Sequence, residues 1–265
     1  MGIDYAGPAK HNSLRPPSFR EPETNGVNVD THALVSSRAM PSFPPAWVRI
    51  SLLPLAAILF AWLSPSAGAA QQQAVEMFNG RDFAGWVIEG AKTSGKAKEQ
   101  TPIWSVQDGM IHCTGQGFGF LRYDKLLKDF IFEVEYRASP RANSGIGIRS
   151  VKYAGKAATR PSFAAYEIQI LDDAGKAPTA HSSGSLYRYV APKSNAARPA
   201  GQWNQIRIEC RGPKIRVTLN GQTIHDLDQT KIEAIKDKPL SGYVLLQSHT
   251  RATDFRHPRL QELNR

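Results

Sequence analysis

The chain has 265 residues, 41% of them hydrophobic, and a formal net charge of +10, so it is long enough to bury a sizeable core. Its basic residues are scattered singly rather than clustered among aromatic side chains, which argues against nucleic-acid binding. Cys113 and Cys210 lie in neither a CxxC nor an HExxH motif, which argues against a structural zinc site. Each cysteine occupies an apolar position of a strand pattern. The sequence therefore leaves two alternatives, two buried thiols or one disulfide bond.

Residues 1–48 are polar, rich in proline and without periodicity, which is typical of disorder. Met40 lies ten residues before an apolar run, so we predict that it is the true start and that residues 1–39 come from a misassigned start codon. The alternative is a genuine cytoplasmic tail on an anchored protein.

Residues 49–70 have the order of a secretory signal. Arg49 precedes the apolar run ISLLPLAAILFAWL, and the small residues Ala67, Gly68 and Ala69 follow it. The run contains Pro54 and is shorter than the roughly 20 residues of a membrane-spanning helix, so a retained anchor is the less favoured alternative. We therefore expect an exported protein, periplasmic or extracellular, without stable membrane insertion after cleavage. Residues 71–265 form its single predicted domain, with a net charge of about +9.

The predicted domain consists of strands joined by turns. Residues 129–138, 203–211 and 214–219 alternate apolar with polar side chains, and Asn220-Gly221 favours a tight hairpin into residues 222–227. Further strands are predicted at residues 76–78, 103–107, 110–114, 119–123, 144–150, 185–190, 242–249 and 253–260, and helical turns near residues 125–127 and 230–235. The predicted core residues are Phe130, Phe132, Val134, Ile146, Ile148, Ile168, Ile170, Ile206, Ile208, Val217 and Leu219. So many strands without intervening helices predict an all-β, two-sheet antiparallel β-sandwich.

The segment AAYEIQILDD, at residues 164–173, indicates where a ligand binds. Tyr166, Ile168 and Ile170 alternate with Glu167 and Gln169, so one face of this strand enters the core while the other presents a carboxylate and an amide. A polar row on a sheet face is costly to maintain without a ligand. We therefore predict a ligand-binding sheet face.

Several short motifs follow one another along the predicted domain. They are MFNGRDFAGW at residues 77–86, WSVQDGMI at 104–111, NSGIGIR at 143–149, YEIQILD at 166–172, GQWN at 201–204, LNG at 219–221, LQSH at 246–249, and Phe255-Arg256. In this order they resemble the motifs of one family of exported bacterial proteins, the 3-keto-disaccharide hydrolases. The resemblance covers residues 75–263. It implies a concanavalin-like jelly roll, shared with laminarinases and legume lectins, and cleavage of glycosides already oxidised to a ketone at C3. Thr250 and His257 depart from the family pattern, which leaves ligand specificity open.

The chemistry implied by this resemblance needs a base, a cationic stabiliser and an acid. A ketone at C3 acidifies the hydrogen at C2, because the resulting anion delocalises onto the carbonyl oxygen; elimination of the group at C1 and hydration then give net hydrolysis. We expect Glu167 to be the base, Arg149 and His249 the stabilisers, and Asp172 or His181 the acid. The residues expected to bind the substrate are Gln169, Gln247, Arg256, His181, Tyr187 and Asn143. We expect them to lie in or at the rim of one pocket with the residues expected to do the chemistry. Binding of a divalent cation by Glu167, Asp172 or a histidine is left undecided, since the spacing of these residues alone does not establish a site.

Three alternatives compete with this interpretation. Glu167 could simply pair with Arg149 on an adjacent strand. The domain could be a non-catalytic, lectin-like carbohydrate-binding module, because such sandwiches host both roles. Glu133 and Glu135 could form the carboxylate pair of an ordinary retaining glycosidase, although the chain lacks the ExDxxE strand of laminarinase-type enzymes.

Overall fold

The computed structural model describes residues 73–96 and 99–263. The predicted N-terminal extension and signal peptide lie outside the described residues, so the boundaries at residues 48 and 70 stay predictions. Within the part of the chain that is described, no helix is long and apolar enough to cross a membrane.

The described residues form fifteen β-strands, one short α-helix and two 3₁₀ turns. The strands are β1 Val75–Glu76, β2 Trp86–Gly90, β3 Thr93–Ser94, β4 Thr101–Pro102, β5 Trp104–Gln107, β6 Met110–Cys113, β7 Gly119–Tyr123, β8 Phe130–Ala138, β9 Asn143–Ser150, β10 Tyr166–Leu171, β11 Trp203–Arg211, β12 Lys214–Leu219, β13 Gln222–Asp228, β14 Tyr243–Ser248 and β15 Thr253–Glu262. Helix α1 spans Pro161–Ala164, and the 3₁₀ turns span Ala157–Thr159 and Gln229–Lys231.

Two antiparallel sheets face each other across one core. Sheet A has the order β13-β12-β11-β8-β15-β6-β5, with β1 added on β15, and sheet B has the order β10-β9-β14-β7-β2. Strands β3 and β4 form a separate two-stranded ribbon. All eleven predicted core residues are buried in the main hydrophobic cluster, so alternation assigned the inward faces correctly. The predicted all-β, two-sheet jelly-roll sandwich is confirmed.

Some predicted elements differ from the structure. The predicted strand at 185–190 is a turn, in which Leu186 forms isolated bridges to Ile168 and Val190. Arg188, with a φ of 67°, breaks the extended conformation there. The predicted helical turn at 125–127 is also wrong, because Leu127 bridges to Gly242 instead. Strand β2 and helix α1 were missed, although proline at the first helical position is a start signal.

Both cysteines are free and buried, Cys113 in β6 and Cys210 in β11. Each therefore behaves as a small apolar core residue, and the disulfide alternative is wrong for this structure.

Two segments, helix α1 and residues 180–190, cover the outer face of sheet B. Helix α1 lies on β9, where a Cβ added to Gly147 would come within 2.7 Å of Pro161. Residues 184–187 run along the free edge of β10, where the amides of Gly184 and Tyr187 donate to the carbonyls of Gln169 and Glu167 at 2.8 Å. This pairing protects an edge strand and places the 180–190 segment beside Glu167.

Candidate active site

A cavity of about 200 Å³ lies between the outer face of sheet B and its two covering segments. Its lining residues are Phe118, Asn143, Arg160, Ser162, Phe163, Glu167, Gln169, Tyr187, Arg188, Gln247 and His249. Six of the predicted site residues are therefore brought together: Glu167, Gln169, Gln247, His249, Tyr187 and Asn143.

Strand register builds the polar floor of the cavity. Glu167 lies opposite Gly147, and Gln169 lies opposite Gly145, so neither polar side chain has a bulky neighbour on β9. A Cβ at Gly145 would come within 2.9 Å of the Glu167 carboxylate. Gly145 of the NSGIGIR motif thus leaves room for the Glu167 carboxyl group.

Glu167 is held as a buried carboxyl group with few polar partners. Its side chain is 5% exposed, and Gln247 Nε2 donates to its Oε1 at 2.9 Å. Burial raises the pKa of Glu167 to about 7, although hydrogen bonds from Gln247 and Ser162 and the charges of Arg160 and Arg188 oppose the rise. A carboxyl group with this pKa is suited to act as a base near neutral pH.

Several buried polar atoms in the lining have no partner within the protein. They are Oε1 of Gln169, Oε1 of Gln247 and Nε of Arg160, and the two glutamine residues are only 3% and 4% exposed. Buried polar groups are nearly always hydrogen-bonded, so unsatisfied ones at a cavity require an explanation. Hydroxyl and carbonyl groups of a sugar would satisfy all three.

The ring of Phe118 contacts both Arg160 and His249 in the cavity wall. The Arg160 guanidinium lies 4.3 Å from the centroid of Phe118, and the His249 ring meets Phe118 edge-on at 5.5 Å. Burial lowers the pKa of His249, and the charge of Arg160 lowers it further. Thr250, at a position where the chain departs from the family pattern, lies 2.9 Å from Nδ1 of His249 and fixes its ring.

The expected position of Arg149 is wrong. Arg149 has a φ of 51° at a bulge, where the register of β9 with β14 shifts, so the two-residue alternation fails and its side chain enters the sandwich. It is fully buried there, 3.7 Å from Asp129, and it does not line the cavity. The alternative pairing of Glu167 with Arg149 is wrong for the same reason. Arg160 and Arg188 are the arginines that line the cavity with Glu167.

Arg256 also lies elsewhere, because its strand β15 belongs to sheet A. Phe255 enters the core, so Arg256 points outward, pairs with Glu135 at 2.6 Å and lies 4.0 Å from the ring of Trp203. Alternation predicted the outward orientation correctly, but it cannot show to which sheet a strand belongs.

Asp172 and His181, expected at the rim, do not line the cavity. Asp172 accepts a hydrogen bond from the Arg141 amide at 2.8 Å, because the chain leaves sheet B at this point. His181 is exposed, and its ring contacts that of Tyr187 with 5.2 Å between centroids.

Glu133 and Glu135 lie on sheet A and pair with Arg207 and Arg256, each at 2.6 Å. Neither reaches the cavity over sheet B. The retaining-glycosidase alternative therefore loses the carboxylate pair on which it depends.

A metal site is not supported by the grouping of side chains. Among residues 73–96 and 99–263, no three His, Cys, Asp or Glu residues are grouped so as to hold an ion. Glu167 and His249 line the same cavity without a third such residue in its lining.

Sequence reasoning missed five of the lining residues: Phe118, Arg160, Ser162, Phe163 and Arg188. Four of them lie between strands, and Arg188 was assigned to a predicted strand. The one available signal was Arg160-Pro161-Ser162, where a proline just before a strand marks the start of a short helix.

The model of the 3-keto-alpha-glucoside-1,2-lyase-like domain family matches residues 73–261. A protein of Bacteroides thetaiotaomicron named "3-keto-disaccharide hydrolase" is 29% identical in an alignment of 156 residues, and the match covers 51% of each chain. The chain thus spans about half the length of this relative. Two solved structures of proteins from Parabacteroides distasonis, each named "putative glycosyl hydrolase", superpose with TM-scores of 0.59 and 0.54 at 20% and 19% identity. They cover 72% and 67% of this chain and 94% and 99% of their own, and they share its fold.

Proposed function

Because the chain belongs to the 3-keto-alpha-glucoside-1,2-lyase-like domain family, we propose that it is an enzyme that cleaves 3-keto-glycosides, with Glu167 as the base. One observation carries this proposal: a buried carboxyl group whose pKa is about 7 lies in a cavity that also holds unsatisfied hydrogen-bonding groups. General bases operate best with a pKa near the working pH.

The reaction proceeds by elimination and hydration. The Glu167 carboxylate takes the proton from C2, and the electron pair of that C–H bond delocalises onto the C3 oxygen. The enediolate then expels the oxygen substituent at C1, which takes a proton from an acid of the lining, and a C1–C2 double bond forms. Water adds its oxygen to C1 and gives a proton back to that acid, while Glu167 returns its proton to C2. Both groups are regenerated, and the sum is hydrolysis.

Residues of the cavity have separate roles in these steps. Arg160 meets the negative charge that develops on the C3 oxygen, the role expected of Arg149, because fixed charges act strongly in a site with little water. Gln247 orients the Glu167 carboxylate. Once Glu167 and Arg160 have these roles, His249 and Tyr187 are the candidates in the lining for the acid that protonates the leaving oxygen.

The cavity is smaller than the roughly 300–1,000 Å³ of pockets that enclose drug-sized ligands. We therefore place one keto-sugar ring inside it and the leaving group at its mouth, beside the exposed residues Phe163 and Arg188.

The rival function, a non-catalytic carbohydrate-binding module, requires hydrogen-bonding groups but no buried base. The experiment that separates the two is product analysis after incubation of the purified protein with 3-keto-trehalose and 3-keto-lactose, each beside the unoxidised sugar. We expect cleavage of the keto sugars alone. Binding without cleavage of any sugar would favour the binding module, and equal cleavage of both forms would contradict the need for a ketone.

We further propose that the enzyme is exported after cleavage of residues 49–70, which rests on the charged, apolar and small-residue order of that segment. Mass spectrometry of the natively exported protein should find an N-terminus near residue 70. Detection of peptides from residues 1–39 would overturn the misassigned start.

A further inference from the structure

Arg188 lines the cavity but has no role in the reaction proposed above. That reaction develops one negative charge, and Arg160 is placed to meet it. Arg188 is a second cation in the same lining, and its side chain is exposed at the mouth.

Arg188 forms no direct ion pair among the described residues, although its charge acts at longer range on the Glu167 carboxyl group. Eight arginines in the described part of the chain lie within 4.0 Å of a carboxylate. Over residues 73–96 and 99–263, no carboxylate lies that close to Arg188 or to Lys238, whose Nζ donates to the carbonyl of Phe163 at 2.8 Å. Two cations thus flank Phe163 without an anion between them.

The structure also fixes Arg188 in place. Its guanidinium lies 4.2 Å from the centroid of Phe163, a ring that is 45% exposed. Its φ of 67° is left-handed, a conformation that non-glycine residues adopt uncommonly. Its amide donates to the Ala180 carbonyl at 2.7 Å, which holds the backbone in that conformation. A guanidinium stacked on a ring keeps its N–H groups directed outward, and their planar fork matches a carboxylate.

We propose that the substrate carries a negatively charged group, such as a carboxylate, which Arg188 binds beside Phe163 at the mouth of the cavity. The inference rests on the proposed function, since it assigns the substrate class of that site. The charge can belong to the leaving group or to the keto-sugar ring, and the two positions are separable by experiment.

The test compares matched substrates that differ only in charge. One pair is the 3-keto-glucosides of 4-hydroxybenzoate and 4-hydroxybenzamide, and the other is a 3-keto-glucuronide and its 3-keto-glucuronamide with a common leaving group. For each pair, the ratio of kcat/KM, acid over amide, is measured for the wild type, Arg188→Gln and Arg188→Lys. Arg81→Gln is the control, because it removes the same charge from an exposed side chain outside the cavity lining.

We expect Arg188→Gln to lower the ratio about fivefold for at least one pair, a modest effect because the site is partly exposed. Arg188→Lys should restore part of it, and Arg81→Gln should leave it unchanged. The substrate pair whose ratio falls shows whether the bound negative charge belongs to the leaving group or to the sugar ring. An unchanged ratio in both pairs, or equal loss on acid and amide, would overturn the proposal.

Binding of the free leaving groups and of unoxidised sugar analogues makes the test independent of turnover. Calorimetry with 4-hydroxybenzoate, 4-hydroxybenzamide, glucuronate and glucuronamide should show an acid preference that Arg188→Gln reduces. If no keto-glycoside is cleaved, the proposed function fails, and this measurement still decides whether the cavity selects an anion. Absence of any acid preference in the wild type would contradict the inference.

Discussion

The outer faces of the two sheets carry similar polar side chains but differ in what surrounds them. On sheet A, Glu133 and Glu135 are partly exposed, and each pairs with an arginine at 2.6 Å. On sheet B, Glu167 is covered by helix α1 and the 180–190 segment, and an amide rather than an arginine donates to it. On sheet A each carboxylate is neutralised by a direct ion pair, whereas burial raises the pKa of Glu167 although the charges of Arg160 and Arg188 oppose the rise. Strand alternation makes both faces polar, and the covering segments make one of them a candidate active site.

The largest difference between the two faces should appear when one carboxylate is removed from each. Glu167→Gln keeps the size of the side chain but removes the base, so kcat/KM on a 3-keto-glycoside should fall about 10²–10⁴-fold. Glu135→Gln, the matched change on sheet A, should alter kcat/KM less than about threefold.

The stability of the two variants is the control, because a loss of kcat/KM counts as loss of the base only if the variant is still folded. Glu167→Gln should be at least as stable as the wild type above pH 7, because it removes the cost of burying a charge. Similar losses of kcat/KM in both variants would abolish the distinction between the faces.

The inward side of the strand that carries Glu167 is expected to contribute to stability. Ile168 is fully buried between the sheets, so Ile168→Ala should lower the free energy of unfolding by about 2–5 kcal/mol. Chemical denaturation measures this loss. A loss below about 1 kcal/mol would contradict the tight packing of this side of the strand.

Gly145 tests whether the room above sheet B matters. A methyl group there would lie 2.9 Å from the Glu167 carboxylate, which must then move. Gly145→Ala should lower kcat/KM about 10–100-fold, since small displacements of a catalytic group are costly. Unchanged kinetics would mean that the position of Glu167 is not tightly defined.

The smallest effect is expected on sheet A. Arg207 and Glu133 form a partly exposed ion pair, so Glu133→Gln should change the free energy of unfolding by less than about 1 kcal/mol. A thermal denaturation series at low and high salt measures it. A larger loss that persists at high salt would show that this face is not simply a solvated surface.

The contrast between the faces also explains what the sequence could predict. Alternation gave the inward faces of the core strands, because they follow from the two-residue period of a strand. Alternation together with the family motifs gave the polar floor formed by Glu167, Gln169 and Gln247. Arg149 escaped prediction because a bulge changes the direction of its side chain. Arg256 escaped because long-range pairing decides the sheet to which a strand belongs.

The covering segments were beyond sequence reasoning for a related reason. Arg160 and Arg188 lie in irregular backbone, where no period relates side-chain direction to position. Their placement depends on contacts made after the sheets have formed, such as that of Pro161 with Gly147 and that of Tyr187 with the edge of β10.

The central claim, that burial turns Glu167 into a base, is tested most directly by the pH dependence of kcat/KM for the wild type on a 3-keto-glycoside. The base must be deprotonated, and its pKa is raised from 4.5 to about 7, so activity should rise tenfold per pH unit below pH 7 and level off above it. Activity that is already constant between pH 5 and 8 would contradict the claim, because it would require a base with an ordinary carboxyl pKa.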